Sequence, residues 1–367
     1  MNPPITLPAE PLFSKAGWLA LGGFGLVTLV ILPVLYLVPA PESALHVSGY
    51  TVTLAGKILC YMIVAMAMNL IWGYTGILSL GHGVFFALGG YAFGMYLMRQ
   101  VGREGQYQSD LPDFMVFLDW KAYPWYWTGS DHFLWSAALV ILAPGLLALV
   151  FGFFAFRSRI KGVYFSIITQ AMTFAFMLLF FRNDTGFGGN NGFTDFKRVL
   201  GFPITAPSTR AVVFGLSALA VIGTIILTRY LLRSKVGRIL TAIRDSESRL
   251  MFSGYNPIGY KLFVWTLSAV LCGIAGALYV PQVGIINPGE MSPANSIEIA
   301  VWVAVGGRGT LIGPLLGAGA VNGAKSFFTQ SFPEYWLFFL GLLFILVTLF
   351  MPKGIVGLAR FVKGKVT

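Results

Sequence analysis

The sequence predicts an all-α polytopic membrane protein, with about ten transmembrane helices in a single permease-like domain over residues 1–367. Of the 367 residues, 56% are hydrophobic and 11% are charged, and the mean hydropathy is +0.76. Soluble globular domains do not have this composition. The apolar residues also fall in stretches of about 20, the length that crosses a bilayer as a helix. The polar segments between these stretches carry most of the basic residues, as topology requires.

Ten hydrophobic stretches are long enough to be interpreted as spans. They cover residues 16–38, 52–72, 78–98, 133–156, 162–182, 211–232, 259–280, 294–307, 311–329 and 334–351. The first lacks the basic region of a signal peptide, so we interpret it as a retained first helix. The eighth, before Arg308, is short and ends in glycines.

The distribution of charge predicts the orientation. If both termini and the loop at residues 233–258 face the cytoplasm, 16 of the 25 basic residues lie inside, with only 3 of the 14 acidic residues. The net charge is then +13 inside and −2 outside, in agreement with the positive-inside rule. The total of +11 therefore reflects topology, and it does not indicate a nucleic-acid partner. An insert at residues 99–132 is then periplasmic.

The polar loop after the sixth span predicts a docking element. Its apolar residues recur at helical spacing, with charged residues on the other faces. Asp245 and Ser246 are N-cap types that can begin a short helix, and Gly254 with Pro257 ends it. A short charged helix at the membrane surface suits contact with a soluble partner. The candidate coupling residues are Arg244, Asp245, Ser246, Glu247, Ser248, Arg249 and Leu250.

Four segments, in order along the chain, resemble one family. The run from Gly237 to Tyr279, GRILTAIRDSESRLMFSGYNPIGYKLFVWTLSAVLCGIAGALY, is similar to the cytoplasmic loop and following helix of LivM-type permeases. Asn69–His82 (NLIWGYTGILSLGH), Gly306–Pro314 (GGRGTLIGP) and Pro352–Gly357 (PKGIVG) resemble further segments of that family. LivM-type permeases are membrane subunits of ABC importers for branched-chain amino acids, and the urea-importer permeases are close relatives.

The resemblance implies a type II ABC importer-like permease in a bacterial inner membrane, with the short helix in a cleft of an ATPase subunit. The implied partners are a second homologous permease subunit as a heterodimer, two cytoplasmic ABC ATPases and a periplasmic solute-binding protein, besides membrane lipid. ATP would be used by the partner subunits, and we expect no cofactor bound directly to this chain. Indeed, Gly-Ala-Lys-Ser at 323–326 lacks the residue order of a nucleotide-binding loop.

The residue types of the spans argue against an enzyme. We find no Ser–His–Asp set, paired carboxylates or metal-ligand spacing, so no catalytic or metal site is predicted. Cys60 and Cys272 lie in apolar spans and are interpreted as buried thiols.

A polar solute crossing the core needs hydrogen-bond partners. Candidate residues lining the pathway are Asn69, Ser79, His82, Gln170, Thr173, Asn295, Glu298 and Trp302. Each could equally make an interhelical hydrogen bond. The Gly-rich external loop at 182–193 could gate the outer mouth or merely turn the chain. Its candidate residues are Thr185, Asn190 and Asn191.

Gly-rich segments recur at 76–81 and 306–313, which is typical of inverted repeats with broken helices. Glycines at small-xxx-small spacing predict packing seams, as in 81/89/90/94 and 313/317/319/323. The aromatic insert FLDWKAYPWYW suits either the membrane interface or a surface for a binding protein.

For the solute, four features resemble urea-importer permeases more than amino-acid ones: the aromatic insert, the loop at 181–196, the segment at 277–298 and Arg308. We therefore expect urea import. The alternatives are a branched-chain amino-acid permease and a passive urea or amide channel, although a channel has no use for a docking helix.

Overall fold

The computed structural model describes residues 11–332, 334–350 and 354–357, and it is mostly helical (74%). In that part of the chain the α-helices are α1 (Lys15–Leu26), α2 (Leu32–Leu37), α3 (Gly49–Thr75), α4 (His82–Arg99), α5 (Asp113–Phe117), α6 (Phe133–Arg157), α7 (Val163–Phe181), α8 (Pro207–Arg233), α9 (Lys235–Phe252), α10 (Pro257–Val283), α11 (Pro293–Gly306), α12 (Gly313–Ser331) and α13 (Trp336–Phe350). A π-helical turn at Val27–Ile31 joins α1 to α2 in one continuous helix. The extreme ends, on which the prediction of cytoplasmic termini falls, lie outside the described residues.

Short strands modify the all-α prediction. β1 (Phe193–Thr194) pairs antiparallel with β4 (Ile285–Ile286), and β2 (Arg198–Val199) pairs antiparallel with β3 (Phe202–Pro203). The first pair ties the loop after α7 to the loop after α10. One-turn 3₁₀-helices occupy the same loops and the insert, at Gly102–Glu104, Trp125–Trp127, Asn183–Thr185, Gly189–Asn191 and Pro288–Met291.

A helix lies at each of the ten predicted positions, but ten complete spans are not confirmed. Six helices among the described residues are long and apolar enough to cross a membrane: the continuous helix 15–37, α3, α6, α7, α8 and α10. The 14 residues of α11 rise about 21 Å, less than the ~30 Å hydrocarbon core. The other three, α4, α12 and α13, have 18, 19 and 15 residues.

The interruption before α4 explains why that helix begins later than predicted. Gly76 ends α3 in the left-handed conformation (φ +78°), which a residue without a Cβ adopts readily. Residues 76–81 then run without helical structure, so α4 begins at His82 and not near 78. Residues 307–312 interrupt the chain in the same way between α11 and α12. The recurrence is consistent with an inverted repeat, which stays a prediction.

The core forms around α10, which packs against α3, α4 and α6. Close backbone approach requires glycine where α4 crosses α10, because a Cβ at Gly89 would overlap Gly273 and one at Gly276 would overlap the Phe86 carbonyl. A Cβ at Gly317 of α12 would likewise overlap the Trp302 carbonyl of α11. The predicted packing seams are therefore confirmed at these positions, whereas Gly323 faces open space.

The first helix lies at the edge of this core. Only 6% of its most apolar window is buried, against 67% for α3. It packs mainly against α8, with Gly25 opposite Ile222. The chain just before it is held by a side chain of α8, since Arg229 Nε donates to the Leu12 carbonyl at 2.9 Å.

Candidate functional site

A small enclosed chamber lies between α3, α4, α11 and α12, next to the 3₁₀ turn Pro288–Met291. Its volume is about 30 Å³. A cavity needs roughly 10–15 Å³ on this measure to hold one water, so the chamber has room for about two. It is lined by Tyr61, Val64, Gly83, Phe86, Glu290, Asn295, Glu298, Ile299, Trp302 and Lys325.

A larger, open vestibule adjoins the chamber. Its volume is about 520 Å³, and it is lined by Tyr50, Thr53, Leu54, Lys57, Ile58, Tyr61, Val283, Asn322, Lys325, Ser326, Thr329 and Gln330. Tyr61 and Lys325 line both spaces. These two side chains therefore form the boundary that a solute moving between vestibule and chamber would have to pass.

Charged groups of opposite sign meet at this boundary. Lys325 Nζ lies 2.8 Å and 3.0 Å from the two carboxylate oxygens of Glu298, which is only 7% exposed. Glu290 accepts hydrogen bonds from the Tyr279 hydroxyl (3.1 Å) and from Asn295 Nδ2 (3.4 Å). Charged side chains within a membrane protein are costly, and their presence marks a functional-site hypothesis.

Aromatic rings form the apolar side of the chamber. The Tyr61 ring lies 4.8 Å from the Trp302 ring and stacks on Tyr279 at 5.8 Å, and Phe86 packs edge-on against Tyr279 at 5.1 Å. Trp302 is 4% exposed, and its Nε1–H has no acceptor among the described residues. The chamber thus combines carboxylate acceptors, aromatic faces and one buried donor without a partner.

The eight residues predicted to line a pathway divide into two groups. Asn295, Glu298 and Trp302 lie together in the chamber wall. The other five do not line it. Ser79 accepts from the Gly81 N–H, and His82 Nε2 lies 2.7 Å from the Ser268 hydroxyl, so these two hold the packing around α4.

The remaining three predicted residues also lie elsewhere. Thr173 donates to carbonyls of its own helix and of the 76–81 interruption, at Thr169 (2.9 Å) and Leu80 (3.3 Å). Gln170 is half-buried on α7. Asn69 is completely buried near the end of α3, where it bonds to the interruption between α11 and α12.

Sequence reasoning missed Tyr61, Lys57, Glu290 and Lys325. For the two lysines a signal was available, because each is a charge inside an apolar stretch predicted to span. Lys57 also lines the vestibule, with Nζ 5.6 Å from the centre of the Tyr61 ring. The position of Tyr61 carries no such signal, since α3 is far from α11 in the sequence, and Glu290 lies in the turn just before α11, outside the stretches predicted to span.

The predicted docking helix is the second part of α9. Ser246 has non-helical angles (φ −166°, ψ 96°), which divides α9 into residues 235–245 and 247–252. Asp245, Ser248 and Arg249 are exposed, Leu250 is buried, and Ser246 is intermediate. The exposed end continues into Met251 (47% exposed) and Phe252 (93%).

Two of the candidate coupling residues point back to the membrane helices. Arg244 is partly exposed, and its Nη1 donates to the Gly73 carbonyl near the end of α3 at 3.2 Å. Glu247 pairs with the buried Lys261 of α10 and, at 2.9 Å, with Lys161. Burial alone would raise the pKa of Glu247, but hydrogen bonds from both lysines outweigh it and hold the pKa below its ordinary value. These contacts attach the docking helix to the rest of the molecule.

The outer loop is built against the aromatic insert. Asn190 and Asn191 are exposed in a 3₁₀ turn, and the Thr185 carbonyl accepts from the Tyr126 hydroxyl. The insert itself is divided, because Trp127 is fully buried whereas Trp125 is 85% exposed. Across the described part of the chain, no group of three or more His, Cys, Asp and Glu residues could hold a metal.

Comparison with known proteins adds a family match. A family model described as "Branched-chain amino acid transport system / permease component" matches residues 50–348. The high-affinity branched-chain amino acid transport system permease protein LivM of Escherichia coli (strain K12) is 27% identical over 336 residues, which cover 86% of this chain and 72% of LivM.

Two further relatives match shorter segments. The branched-chain amino acid permease protein BraD of Pseudomonas aeruginosa is 32% identical over 133 residues, 36% of this chain and 43% of BraD. The ribose import permease protein RbsC of Bacillus subtilis (strain 168) is 29% identical over 140 residues, 36% of this chain and 40% of RbsC. No solved structure is a significant match.

Proposed function

The chain belongs to the family of branched-chain amino acid transport system permease components, and on that premise we propose that it is the subunit through which an ABC importer moves urea. At the level of the family it is an ABC importer permease subunit and a multi-pass protein of the inner membrane. The prediction that it is not an enzyme is confirmed, because the relatives are permease subunits.

The observation that carries the proposal of urea is the size and lining of the chamber. Urea is small, planar and uncharged, with N–H donors on both sides of one carbonyl. Its amide hydrogens suit the carboxylates of Glu290 and Glu298, and its flat face suits the ring of Tyr61. A space for about two waters admits such a solute with small movements of the wall.

The second candidate is a branched-chain amino acid, and two observations favour it. LivM, which aligns with 86% of this chain, and BraD are named for that substrate. In addition, the Lys325–Glu298 pair could separate to bind the carboxylate and the ammonium of an amino acid. Against it, the aliphatic side chain would need an apolar pocket, and the chamber has no room for one beside the charged groups in this conformation.

The remaining assembly is part of the same proposal. The permease pairs with a second homologous subunit, two cytoplasmic ATPases consume ATP, and a periplasmic protein delivers the solute. Both termini and residues 233–258 face the cytoplasm, where the segment 247–252 docks on an ATPase. The exposed Arg249, Met251 and Phe252 support this placement. This chain needs no bound cofactor in such an assembly.

Uptake of labelled solutes by cells that carry the complete importer tests the proposal. We expect urea to accumulate above its external concentration, and the accumulation to vanish when the partner ATPase is inactivated. Leucine, isoleucine and valine should compete poorly. Accumulation of leucine without competition by urea would replace the proposal by the second candidate. Equilibration of urea without ATP would indicate a passive channel instead.

A further inference from the structure

The indole N–H of Trp302 is a buried donor next to a cavity. The side chain is 4% exposed and lines the chamber, and Nε1 has no acceptor in the described residues. A buried donor that has lost water without gaining an acceptor is destabilising, and native proteins contain few of them. Such a donor at the wall of a chamber calls for a ligand that supplies the acceptor.

Two other buried tryptophans show that this arrangement is specific to Trp302. Trp265 is also fully buried, but its Nε1–H donates to the Ala148 carbonyl at 2.9 Å. Trp127 lacks an acceptor like Trp302, yet it lines neither the chamber nor the vestibule. Among these three indoles, Trp302 alone combines an unpaired donor with a place in the wall of the chamber or the vestibule.

The chamber also offers acceptors with spare capacity. An ionised carboxylate has about four lone-pair sites. Glu298 uses two contacts for Lys325, and Glu290 uses two for Tyr279 and Asn295. Each carboxylate can therefore accept further N–H groups. A ligand that complements this wall needs a carbonyl oxygen for the free donor and, bonded to that carbonyl, a group whose N–H reaches the carboxylates.

We propose that the chamber binds a small uncharged amide, with Trp302 Nε1–H donating to its carbonyl oxygen and with Glu290 and Glu298 accepting from its N–H groups. This assignment rests on the proposed transport of urea and names the residues that recognise it. The solute arrives past Tyr61 and Lys325, which line both the vestibule and the chamber. The choice between similar solutes then depends on how strongly the carbonyl oxygen accepts a hydrogen bond from Trp302, and not only on the size of the solute.

The test compares Trp302→Phe with Trp265→Phe in the complete importer. Both variants remove an indole N–H and keep an aromatic ring, but only the first removes a donor at the chamber. Uptake kinetics are measured with urea and with thiourea, whose sulfur is the weaker acceptor. We expect Trp302→Phe to raise the KM for urea roughly tenfold, as for the loss of one hydrogen bond. The preference of Trp302→Phe for urea over thiourea should fall by a similar factor. In Trp265→Phe, the KM for urea and the preference for urea over thiourea should both stay within about twofold of wild type.

Three results would overturn the assignment. The first is that Trp302→Phe keeps the wild-type KM and the wild-type preference for urea while the wild type accumulates urea. That result would reject the assignment of Trp302 but leave the proposed function standing. The second is failure of the wild type to transport urea, which removes the proposed function as well. Should Trp302→Phe not reach the membrane, Glu290→Gln replaces it, because the amide is a weaker acceptor of the same shape. Its KM for urea must rise, and an unchanged KM is the third contrary result.

Discussion

Asn69 and Gly309 are 240 residues apart, yet the Gly309 N–H donates to Asn69 Oδ1 at 2.8 Å. The same side chain returns a bond, since Asn69 Nδ2 donates to the Thr310 carbonyl at 2.9 Å. One amide thus joins the end of α3 to the interruption between α11 and α12. Arg244 of α9 reaches the same place through the Gly73 carbonyl. The first part of α9, which leads into the docking helix, is therefore attached where the two interrupted segments meet.

The first prediction concerns this junction. Asn69→Ala should lower the free energy of unfolding by roughly 2–4 kcal/mol, because it leaves one donor and one acceptor unpaired inside the protein. Asn322→Ala is the matched control, since Asn322 is also buried but its side chain bonds, among the described residues, only to the Ala318 carbonyl of its own helix. Thermal unfolding in mild detergent measures both. Equal losses in the two variants would contradict the role given to Asn69.

The second prediction concerns the docking helix. Arg249→Glu should abolish uptake without lowering the amount of folded protein, because it reverses a charge on an exposed face. Arg238→Glu makes the same change on an exposed residue of α9 before the kink, and it should leave uptake largely intact. Co-purification of the ATPase reports docking directly. Normal uptake and co-purification with Arg249→Glu would refute docking by residues 247–252.

The third prediction concerns Glu247 and pH. Glu247→Gln should destabilise the protein by on the order of 2 kcal/mol, because it leaves Lys261, 7% exposed, without its anionic partner. The loss is smaller than for a fully buried pair, since Glu247 is 18% exposed.

The pH dependence follows from the pKa of Glu247, which is lower in the folded protein than its ordinary value. Its contribution is fully present above the unfolded pKa and is lost as the pH falls through the folded pKa, which lies below the ordinary glutamate range. The difference in Tm between wild type and Glu247→Gln should therefore shrink as the pH is lowered through that range. A difference that stays constant down to pH values well below the glutamate range would exclude the ion pair as its cause.

The fourth prediction uses two glycines of α12. Gly317→Ala should reduce the yield of folded protein and uptake together, because the added methyl group overlaps the Trp302 carbonyl. Overpacking of this kind costs about 1–3 kcal/mol. Gly323→Ala adds the same group where no atom lies within 4 Å, and it should be tolerated. If Gly317→Ala behaved like Gly323→Ala, the close crossing of α11 and α12 would be wrong.

The fifth prediction tests orientation. In a protein without Cys60 and Cys272, an impermeant thiol reagent should label Thr128→Cys from the outside and Ser248→Cys only from the inside. Both positions are exposed, whereas neighbouring Ser130 is fully buried and would not report sidedness. The charge of +13 on one side and −2 on the other is the reason for the expectation. Labelling of both cysteines from one side would reject the predicted topology.

The positions of the helices could be predicted because hydrophobic stretches carry that information locally. Whether each helix crosses the membrane completely could not be predicted. The start of α4 and the end of α11 depend on glycines such as Gly76 and Gly307 (φ +121°), which take up left-handed or unusual angles in the folded chain. The candidate site was found only in part for a related reason. Asn295, Glu298 and Trp302 share one short helix and were predicted together, whereas Tyr61 joins them through tertiary packing alone and Glu290 comes from the 3₁₀ turn just before that helix.

The docking helix shows the same limit. Its position and its break near Ser246 followed from local capping preferences. That Glu247 faces inward did not, because its partners Lys161 and Lys261 come from segments before and after it in the chain.

The weakly buried first helix has a consequence for biosynthesis. Its packing surface is on α8, which is completed nearly 200 residues after α2 ends. At the usual ~5–20 residues per second, the helix waits roughly 10–40 s in the bilayer before its neighbour exists. One of its polar groups needs no partner outside the helix, because the Thr28 hydroxyl donates to the Phe24 carbonyl of the same helix at 2.8 Å. The helix therefore enters the bilayer long before the surface on which it packs.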